Sequence, residues 1–296
     1  HSGGSHAIYE DWEISKHAQT MADLLTSDHA SDSCLHCMAG QGTYTDMTDV
    51  DPTETWLISI QCATCHDPHD NTNEFQLRAE EITDLCGMCH GGSGRHREYD
   101  AYTADIWQPH AEVACTGCHG YDFVWQDTDH NPSNGLEPGM NHTWTLNDPL
   151  NYTCAQCHTN GTLMVERLEE IEASVDDLMH EYHTLLAPVE TPADAANATA
   201  GVNQPLIDAA YDAISEAKSL VGFVTYMQNP IHNPGFAAAK LTGAIELLNL
   251  AESLAADSLT TPPNVTTVTA SPGFIFVTVL ASLGLLGAVM LLRKRR

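Results

Sequence analysis

The chain has 296 residues and a strongly acidic composition, with 40 Asp and Glu against 11 Lys and Arg and a formal net charge of −29 at pH 7. A protein that binds DNA or RNA needs a basic surface to release the counterions of the phosphates, so this balance argues against a nucleic-acid partner. The length permits one large domain or two of ordinary size. The ten cysteines all fall into Cys-x-x-Cys pairs, and their spacing is the most informative feature of the sequence.

Four of the Cys-x-x-Cys pairs are followed directly by histidine. In this pattern the two thiols reach the two vinyl groups of one porphyrin, and the histidine approaches the iron from the proximal side. A zinc site or a disulfide would leave the adjoining histidine without a role, and an oxidising exterior disfavours free thiolates. We therefore predict four covalently attached haem c groups. Their motifs are Cys62-Ala-Thr-Cys65-His66, Cys86-Gly-Met-Cys89-His90, Cys115-Thr-Gly-Cys118-His119 and Cys154-Ala-Gln-Cys157-His158.

The remaining pair, Cys34-Leu-His-Cys37-Met38, has methionine where the proximal histidine would stand. Three interpretations are open: a disulfide without haem, a haem ligated by methionine, and a haem that takes its ligand from elsewhere in the chain. Because haem attachment generally requires the histidine, we expect no fifth haem at Cys34 and Cys37.

The distal ligands of the irons must come from other histidines. A second imidazole makes an iron low-spin and coordinatively full, which suits electron transfer, whereas an open position suits reduction of a substrate. The chain has 17 histidines, and 17 − 4 leaves 13 that could fill the distal positions. The best candidates are His17 in Trp12-Glu-Ile-Ser-Lys-His17, His110 five residues before Cys115, His142 between the third and fourth motifs, and His232 in Ile231-His232-Asn233-Pro234; weaker candidates are His69 and His29.

The body of the chain has two parts of different character. Residues 1–160 are rich in Cys, His, Gly, Asp and Thr and show no sustained apolar periodicity. Four haems over so short a stretch leave too few residues for a separate hydrophobic core. Residues 161–257 instead show helical periodicity. The expected fold class is mainly α with much irregular structure: a tetrahaem c-type cytochrome domain, a helical bundle and one C-terminal transmembrane helix.

Three helices are predicted in the bundle. The first has apolar residues at spacings of three and four, which marks one buried face. Pro188, Pro192 and Pro205 predict a linker after it. A second helix is predicted from about Leu206 to Tyr226, and a third begins after Pro234-Gly235. The apolar positions of the first helix are Leu168, Ile171, Val175, Leu178, Tyr182 and Leu185.

The C-terminal segment has three parts. Residues 258–273 are rich in Thr and Pro and predict an extended stalk. Residues 274–292 form an uncharged apolar run long enough to span a bilayer as a helix, and residues 293–296 are basic, which favours the cytoplasmic side. The chain begins at His1 without a leader, so we expect a secreted, mature product held at the cell surface.

The order of the Trp-x-x-Ser-x-His segment ending at His17, the CxxCH motifs and the His-Asn-Pro turn at His232 resembles the pentahaem ammonia-forming nitrite reductases and their octahaem relatives. The resemblance implies that His17, His110, His142 and His232 are distal ligands of bis-histidine haems. Two departures imply that substrate chemistry is lost. Those enzymes carry Lys where Met38 stands, and their Tyr-containing segment is replaced here by Gly91-Gly92-Ser93-Gly94.

Two further resemblances concern the cell surface. The junction Ser271-Pro272-Gly273-Phe274 with its apolar run and basic tail resembles the sorting signal of archaeal surface proteins, which implies that the tail is exchanged for a lipid; an ordinary membrane anchor is the alternative. The acidic, haem-rich layout resembles subunits of archaeal extracellular cytochrome filaments. Asn-x-Ser/Thr triplets fit a glycosylated surface chain, and they begin at Asn141, Asn151, Asn160, Asn197 and Asn264.

The sequence therefore predicts a haem protein that carries electrons at the cell surface and is not an enzyme. The expected partners are redox proteins or an extracellular electron acceptor, and further copies of the chain in a haem-lined filament. The alternative is a reductase of nitrite, hydroxylamine or a sulfur oxyanion, which requires one iron with an open position.

Overall fold

The computed structural model describes residues 8–70, 72–92, 97–106, 110–125, 136–145, 153–155, 157–227 and 229–262. The chain divides into two compact units, His1–Glu170 and Ile171–Arg296. The described residues are mainly helical, as predicted, and none of their helices has the length and apolar character needed to cross a membrane. Most of the predicted stalk, the apolar run 274–292 and the basic tail 293–296 lie outside the described residues.

The first unit consists of short helices joined by irregular segments. The helices are α1 (Ile8–Glu13), α2 (Lys16–Leu25), α3 (Asp32–Met38), α4 (Cys62–Cys65), α5 (Ile82–His90) and α6 (Glu98–Tyr102), with single 3-10 turns at Glu74–Gln76 and Cys115–Gly117. Two strands, β1 (Tyr121–Trp125) and β2 (Leu136–Met140), pair in antiparallel register with Tyr121 opposite Met140. Helix α7 (Gly161–Asn197) begins near the end of this unit.

Apolar burial in the first unit is concentrated before the first complete motif. Helices α2 and α3 and the segment after them share one small hydrophobic cluster. Between Cys62 and His158, by contrast, Leu85 and Ala101 are the only apolar side chains buried among those that the structure describes. The described part of the motif-bearing segment therefore buries almost no apolar side chains, which agrees with a fold organised around prosthetic groups. The cluster contains Met21, Leu24, Leu35, Ala39, Met47 and Leu57.

The second unit is built from the rest of α7 together with α8 (Gln204–Tyr226) and α9 (Pro234–Thr260). Helices α8 and α9 pack closely along their lengths because small side chains occupy the buried faces. Polar bonds join α7 to α8: Tyr211 donates to Asp194 at 2.6 Å, and Lys218 forms an ion pair with Glu190. The small buried residues are Ala210, Ala213 and Ala217 on α8 and Ala237, Ala244, Ala251 and Ala255 on α9.

The linker predicted from Pro188 and Pro192 is wrong, since both prolines lie inside α7. A proline within a helix removes one backbone donor and crowds the carbonyl four residues earlier, at a cost of about 3 kcal/mol. Val189 and Ala193 follow the two prolines directly and are buried. The helix continues because its apolar face stays packed beyond each proline. The third proline, Pro205, lies at the start of α8, where a missing N–H costs nothing.

The helical unit also extends beyond its predicted end. Helix α9 ends at Thr260, so the first three residues of the predicted stalk are helical, and Ser258 is buried. Asn203, which caps the start of α8, donates its backbone N–H to the Ser258 carbonyl at 3.0 Å and its side-chain amide to the Pro262 carbonyl at 3.1 Å. These bonds tie the end of α9 to the start of α8.

The close packing of α9 predicts a large effect of added volume. Ala251 is fully buried, so Ala251→Leu should lower the free energy of unfolding by about 1–3 kcal/mol through overpacking. Urea unfolding followed by the helical circular dichroism signal measures this change. Ala256→Leu on the exposed face of α9 is the matched control, with an expected change below about 0.5 kcal/mol. Equal stability of the two variants would contradict the packing described above.

Candidate haem sites

The complete CxxCH motifs share one backbone turn. The histidine N–H donates to the carbonyl of the first cysteine at 2.8 Å for His66, 2.8 Å for His119 and 2.9 Å for His158. The motif that ends at His90 lies within α5. In such a turn, residues three apart project from the same side of the backbone, so the two thiols of a motif face the same space. This arrangement is the one that two thioether bonds to a single porphyrin require.

Three motif histidines each face a second imidazole. The second member of every pair is one of the four best distal candidates from the sequence. The ring centroids are 6.2 Å apart for His90 and His17, 6.2 Å for His158 and His110, and 6.5 Å for His66 and His142, with interplanar angles of 71°, 87° and 31°.

These centroid distances fit an iron held between two imidazoles. A metal binds an imidazole nitrogen at about 2 Å, and the ring centroid lies about 1 Å beyond that nitrogen, so two axial imidazoles place their centroids about 6 Å apart. A zinc site would need three or more His, Cys, Asp or Glu side chains around one point. No such cluster occurs among the described residues. The donor set therefore fits axial ligation of haem iron.

Backbone carbonyls orient two of the motif imidazoles. The Nδ1 atom of His66 donates to the Phe75 carbonyl at 2.8 Å, and Nδ1 of His119 donates to the Trp144 carbonyl at 3.2 Å. A hydrogen bond at Nδ1 fixes the tautomer and leaves Nε2 as the metal-binding atom. His90 has a carboxylate nearby instead, with Glu98 Oε2 4.0 Å from its Nδ1.

The Trp-x-x-Ser-x-His segment has a local structural explanation. Trp12 Nε1 donates to the Ile60 carbonyl at 2.9 Å, which holds α1 beside the start of the first complete motif. Ser15 is buried and caps α2 by accepting a bond from the Ala18 N–H at 3.3 Å. His17 follows in the first turn of α2. The tryptophan and the serine thus set the position from which His17 reaches His90.

His142 lies in a short loop that is fixed to the end of the third motif. Asn141 is buried, and its side-chain oxygen accepts bonds from the N–H and hydroxyl of Thr143. The N–H of Asn141 donates to the Gly120 carbonyl at 2.7 Å, and the N–H of Gly120 donates to the Thr145 carbonyl at 3.0 Å. These bonds hold His142 opposite His66.

Within this loop, Trp144 has a φ of 58°. A bulky residue with positive φ is a genuine outlier, and such conformations cost about 1–3 kcal/mol and persist only where the surroundings impose them. The ring of Trp144 contacts both His142 and His17.

His232, the fourth distal candidate, lies in the second unit in a turn built by two asparagines. The side-chain oxygen of Asn229 accepts from the Ile231 N–H, and that of Asn233 accepts from the Phe236 N–H to cap α9. Nδ1 of His232 donates to the Asn229 carbonyl at 3.0 Å. The imidazole is half-buried, and its Nδ1 bond to a backbone carbonyl resembles the bonds that orient the motif imidazoles of His66 and His119.

Burial favours the neutral form of the paired imidazoles. Burial, with a smaller contribution from His90, lowers the pKa of His17 to about 4. Burial also lowers the pKa values of His142 and His110, and their facing motif histidines contribute in the same direction. All three are therefore neutral at pH 7, which is the form of imidazole that binds metals.

Thiols of different pairs lie side by side around α5. The Cys86 thiol hydrogen-bonds Cys115, which raises the pKa of Cys86 and lowers that of Cys115 to about 7. The thiols of Cys89 and Cys37 are also hydrogen-bonded, which raises the pKa of Cys89, and Cys37 Sγ lies 3.8 Å from the Cys89 carbonyl oxygen. The attachment points of the second and third complete motifs are therefore adjacent.

The incomplete pair, Cys34 and Cys37, lies on α3 in a similar helical turn. Cys34 and Met38 pack against the hydrophobic cluster of the first unit. Thr20 donates its hydroxyl to the Met38 carbonyl at 2.6 Å, which fixes the end of α3 against α2. All ten cysteines lie within the described residues, and the structure joins none of them in a disulfide.

The weaker distal candidates lie at the surface. The side chains of His29 and His69 are exposed, and neither faces a second imidazole among the described residues.

Tyr99 is a site residue that the sequence analysis missed. A Cβ added to Gly87, inside the second complete motif, would lie 2.6 Å from the Tyr99 ring, and one added to Gly91 would lie 3.0 Å from it. Tyr99 donates its hydroxyl to Asp84 at 2.7 Å. The glycine within Cys86-Gly-Met-Cys89 is therefore required by the close approach of an aromatic ring from α6. No local pattern signals this contact.

Arg78 was also missed. Its Nε donates to the Ala63 carbonyl inside the first complete motif at 2.8 Å, and its guanidinium forms an ion pair with Asp67 at 3.1 Å. The same guanidinium lies over the Tyr44 ring, 4.9 Å from the centroid. Arg78 thus connects the first motif to the segment before it. Because the chain has few basic residues, an arginine close to a motif was the sequence feature that could have indicated this contact.

Comparison with known proteins links these sites to c-type cytochromes. Residues 59–94 match the family model of the doubled CXXCH motif. No curated protein sequence matches the chain. Among solved structures, the outer cell wall cytochrome OcwA is 20% identical with a TM-score of 0.53, and the match covers 86% of this chain and 52% of that chain. The chain therefore spans about half the length of OcwA.

Two other structures are similar. Cytochrome c nitrite reductase (NrfA) from Desulfovibrio desulfuricans ATCC 27774 is 16% identical with a TM-score of 0.59, over 82% of this chain and 71% of that chain. The undecahaem cytochrome from the S-layer of Carboxydothermus ferrireducens is 18% identical with a TM-score of 0.47, over 82% and 40%. The matched motif indicates covalently bound c-type haem, and together with the fold shared with OcwA and NrfA it supports a multihaem c-type cytochrome.

Proposed function

We propose that the chain is an electron carrier of the cell surface whose haem irons are each ligated by two histidines. The observation that carries this proposal is the set of three facing imidazole pairs with centroids 6.2 to 6.5 Å apart. An iron with two axial imidazoles has no position left for a substrate, so it exchanges electrons without making or breaking bonds.

The imidazole pairs support an assignment of ligands to motifs. His66 and His142 ligate one iron, His90 and His17 a second, and His158 and His110 a third. The motif that ends at His119 holds a fourth haem. His232 is proposed as a distal ligand, as the sequence analysis expects. The haems are attached through Cys62 and Cys65, Cys86 and Cys89, Cys115 and Cys118, and Cys154 and Cys157.

We assign no haem to Cys34 and Cys37. Cys34 and Met38 are part of the hydrophobic cluster that α2 and α3 share, so the side chains that would contact a porphyrin already pack against protein. The total is therefore four covalently attached haem c groups.

The proposed location rests on the C-terminal segment, and the proposed assembly rests on the resemblance of the acidic, haem-rich layout to filament subunits. The net charge of −29 keeps the protein soluble because molecules of like charge repel each other. The chain is placed outside the cell and anchored by its C-terminal apolar run or by a lipid, and the shared fold with an outer cell wall cytochrome supports a surface location. Copies of the chain assemble into a filament that delivers electrons to an extracellular acceptor or a redox partner protein.

Low-temperature electron paramagnetic resonance (EPR) of the oxidised protein, together with a haem count per chain, tests the proposal. We expect four haems, all low-spin, because every iron has two imidazole ligands. His142→Ala should convert one iron to high spin. His29→Ala, at an exposed histidine, is the matched control and should leave every signal unchanged. A high-spin iron in the unmodified protein that turns over nitrite with a reduced dye would support the reductase instead.

The incomplete pair gives a separate prediction about the haem count. The double substitution Cys34→Ala and Cys37→Ala should leave four haems per chain, measured by the pyridine haemochrome spectrum and by intact mass. The corresponding change at Cys86 and Cys89 is the control and should reduce the count by one. A count that falls from five to four in the first variant would place a haem at Cys34 and Cys37.

Assembly is tested by negative-stain electron microscopy of the purified protein over a range of concentrations. Filaments should appear and lengthen as the concentration rises, because association depends on mass action. Discrete particles alone at the highest concentration would contradict polymerisation. They would leave the haem assignment unaffected.

A further inference from the structure

We propose that Trp144 is a positioning residue that sets the ring orientations of His17 and His142 and thereby couples two haem sites. This inference rests on the proposed function, since it takes those imidazoles to be axial ligands. It identifies a residue that lies outside all the CxxCH motifs and controls the ligand geometry at more than one iron.

The ring of Trp144 contacts both imidazoles. Its centroid is 5.8 Å from that of His17 at an interplanar angle of 68°, and 5.3 Å from that of His142 at 70°. Both are T-shaped contacts, the arrangement in which the positive edge of one ring meets the negative face of another. His17 faces His90, and His142 faces His66. One indole therefore contacts a ligand from each of two sites.

The two imidazoles have no hydrogen bond to hold them in the described structure. Nδ1 of His142 is buried and accepts or donates no hydrogen bond within the described residues, and the ring of His17 has none there either. The motif imidazoles of His66 and His119 are instead oriented by backbone carbonyls. A metal-binding imidazole needs some contact to fix its rotation. Packing against Trp144 supplies that contact for His17 and His142.

The backbone at Trp144 supports the same role. Its positive φ is maintained by the hydrogen-bonded loop of Asn141, Thr143 and Thr145, and the conformation directs the Trp144 carbonyl toward Nδ1 of His119. The ring and the carbonyl of this residue thus contact imidazoles of three sites. A strained conformation that the surroundings impose is typical of a residue whose placement matters.

The EPR signal of a low-spin haem iron depends on the angle between its two axial imidazole planes, which provides a direct test. The described angles are 31° at His66 and His142, 71° at His90 and His17, and 87° at His158 and His110. Removing the indole should change the first two signals. The third pair does not contact Trp144 in the described residues, so its signal is an internal reference.

The variant Trp144→Gly removes the ring and keeps a residue that tolerates positive φ. We expect shifts in the signals of the His90–His17 and His66–His142 sites and no shift in the signal of the His158–His110 site, with the haem count unchanged. Trp144→Phe restores an aromatic ring and should bring both signals back toward those of the unmodified protein. Trp56→Gly, at a half-exposed tryptophan, is the matched control and should shift nothing. If Trp144→Gly does not accumulate, Trp144→Asn also tolerates positive φ and carries the same expectation.

The outcomes separate this inference from the proposed function. Unchanged signals in Trp144→Gly, or equal shifts in all three, would overturn the positioning role. His17→Ala tests the ligand assignment independently, because it should convert one iron to high spin whether or not Trp144 orients the ring. If His17→Ala leaves every iron low-spin, the ligand assignment fails and the inference fails with it.

Discussion

The first unit is organised around facing imidazoles: three pairs from separate segments have ring centroids 6.2 to 6.5 Å apart, a separation that fits one iron between two axial imidazoles. In each of these three pairs, a helical turn at a CxxCH motif supplies one imidazole, and α2, the segment at His110 or the loop at His142 supplies the other. Bonds elsewhere in the unit hold the segments that carry these imidazoles. Trp12 and Ser15 hold α2 in place, and the bonds around Asn141 fix the loop.

The sequence was a good guide to the motifs because their geometry is local. Two thiols three residues apart and an adjoining histidine define a turn wherever they occur, and the family resemblance supplied distal candidates, three of which face motif histidines. Tyr99, Arg78 and Trp144 could not be found in this way. Their roles depend on contacts between segments that meet only in the fold, and no periodicity or spacing marks them.

Local sequence signals predicted only part of the helical unit correctly. Its helix type and the starts of α8 and α9 were predicted well, since prolines and asparagines at helix starts act through neighbouring residues. Pro188 and Pro192 gave a wrong boundary because a proline is a strong local breaker, whereas packing of Val189 and Ala193 is a tertiary effect. A local sequence pattern does not compare the cost of a proline with the gain from tertiary packing.

The described residues between Cys62 and His158 include few buried apolar side chains, and this has a consequence for biogenesis. A segment in which Leu85 and Ala101 are the described apolar residues that become buried gains little from collapse in water before its prosthetic groups arrive. Covalent haem attachment is then part of folding, as metal binding is in small metal-dependent domains. It does not modify a domain that has already folded. Chains that leave the attachment machinery with a motif unfilled would expose extended backbone there, which makes them substrates for proteases at the site of maturation.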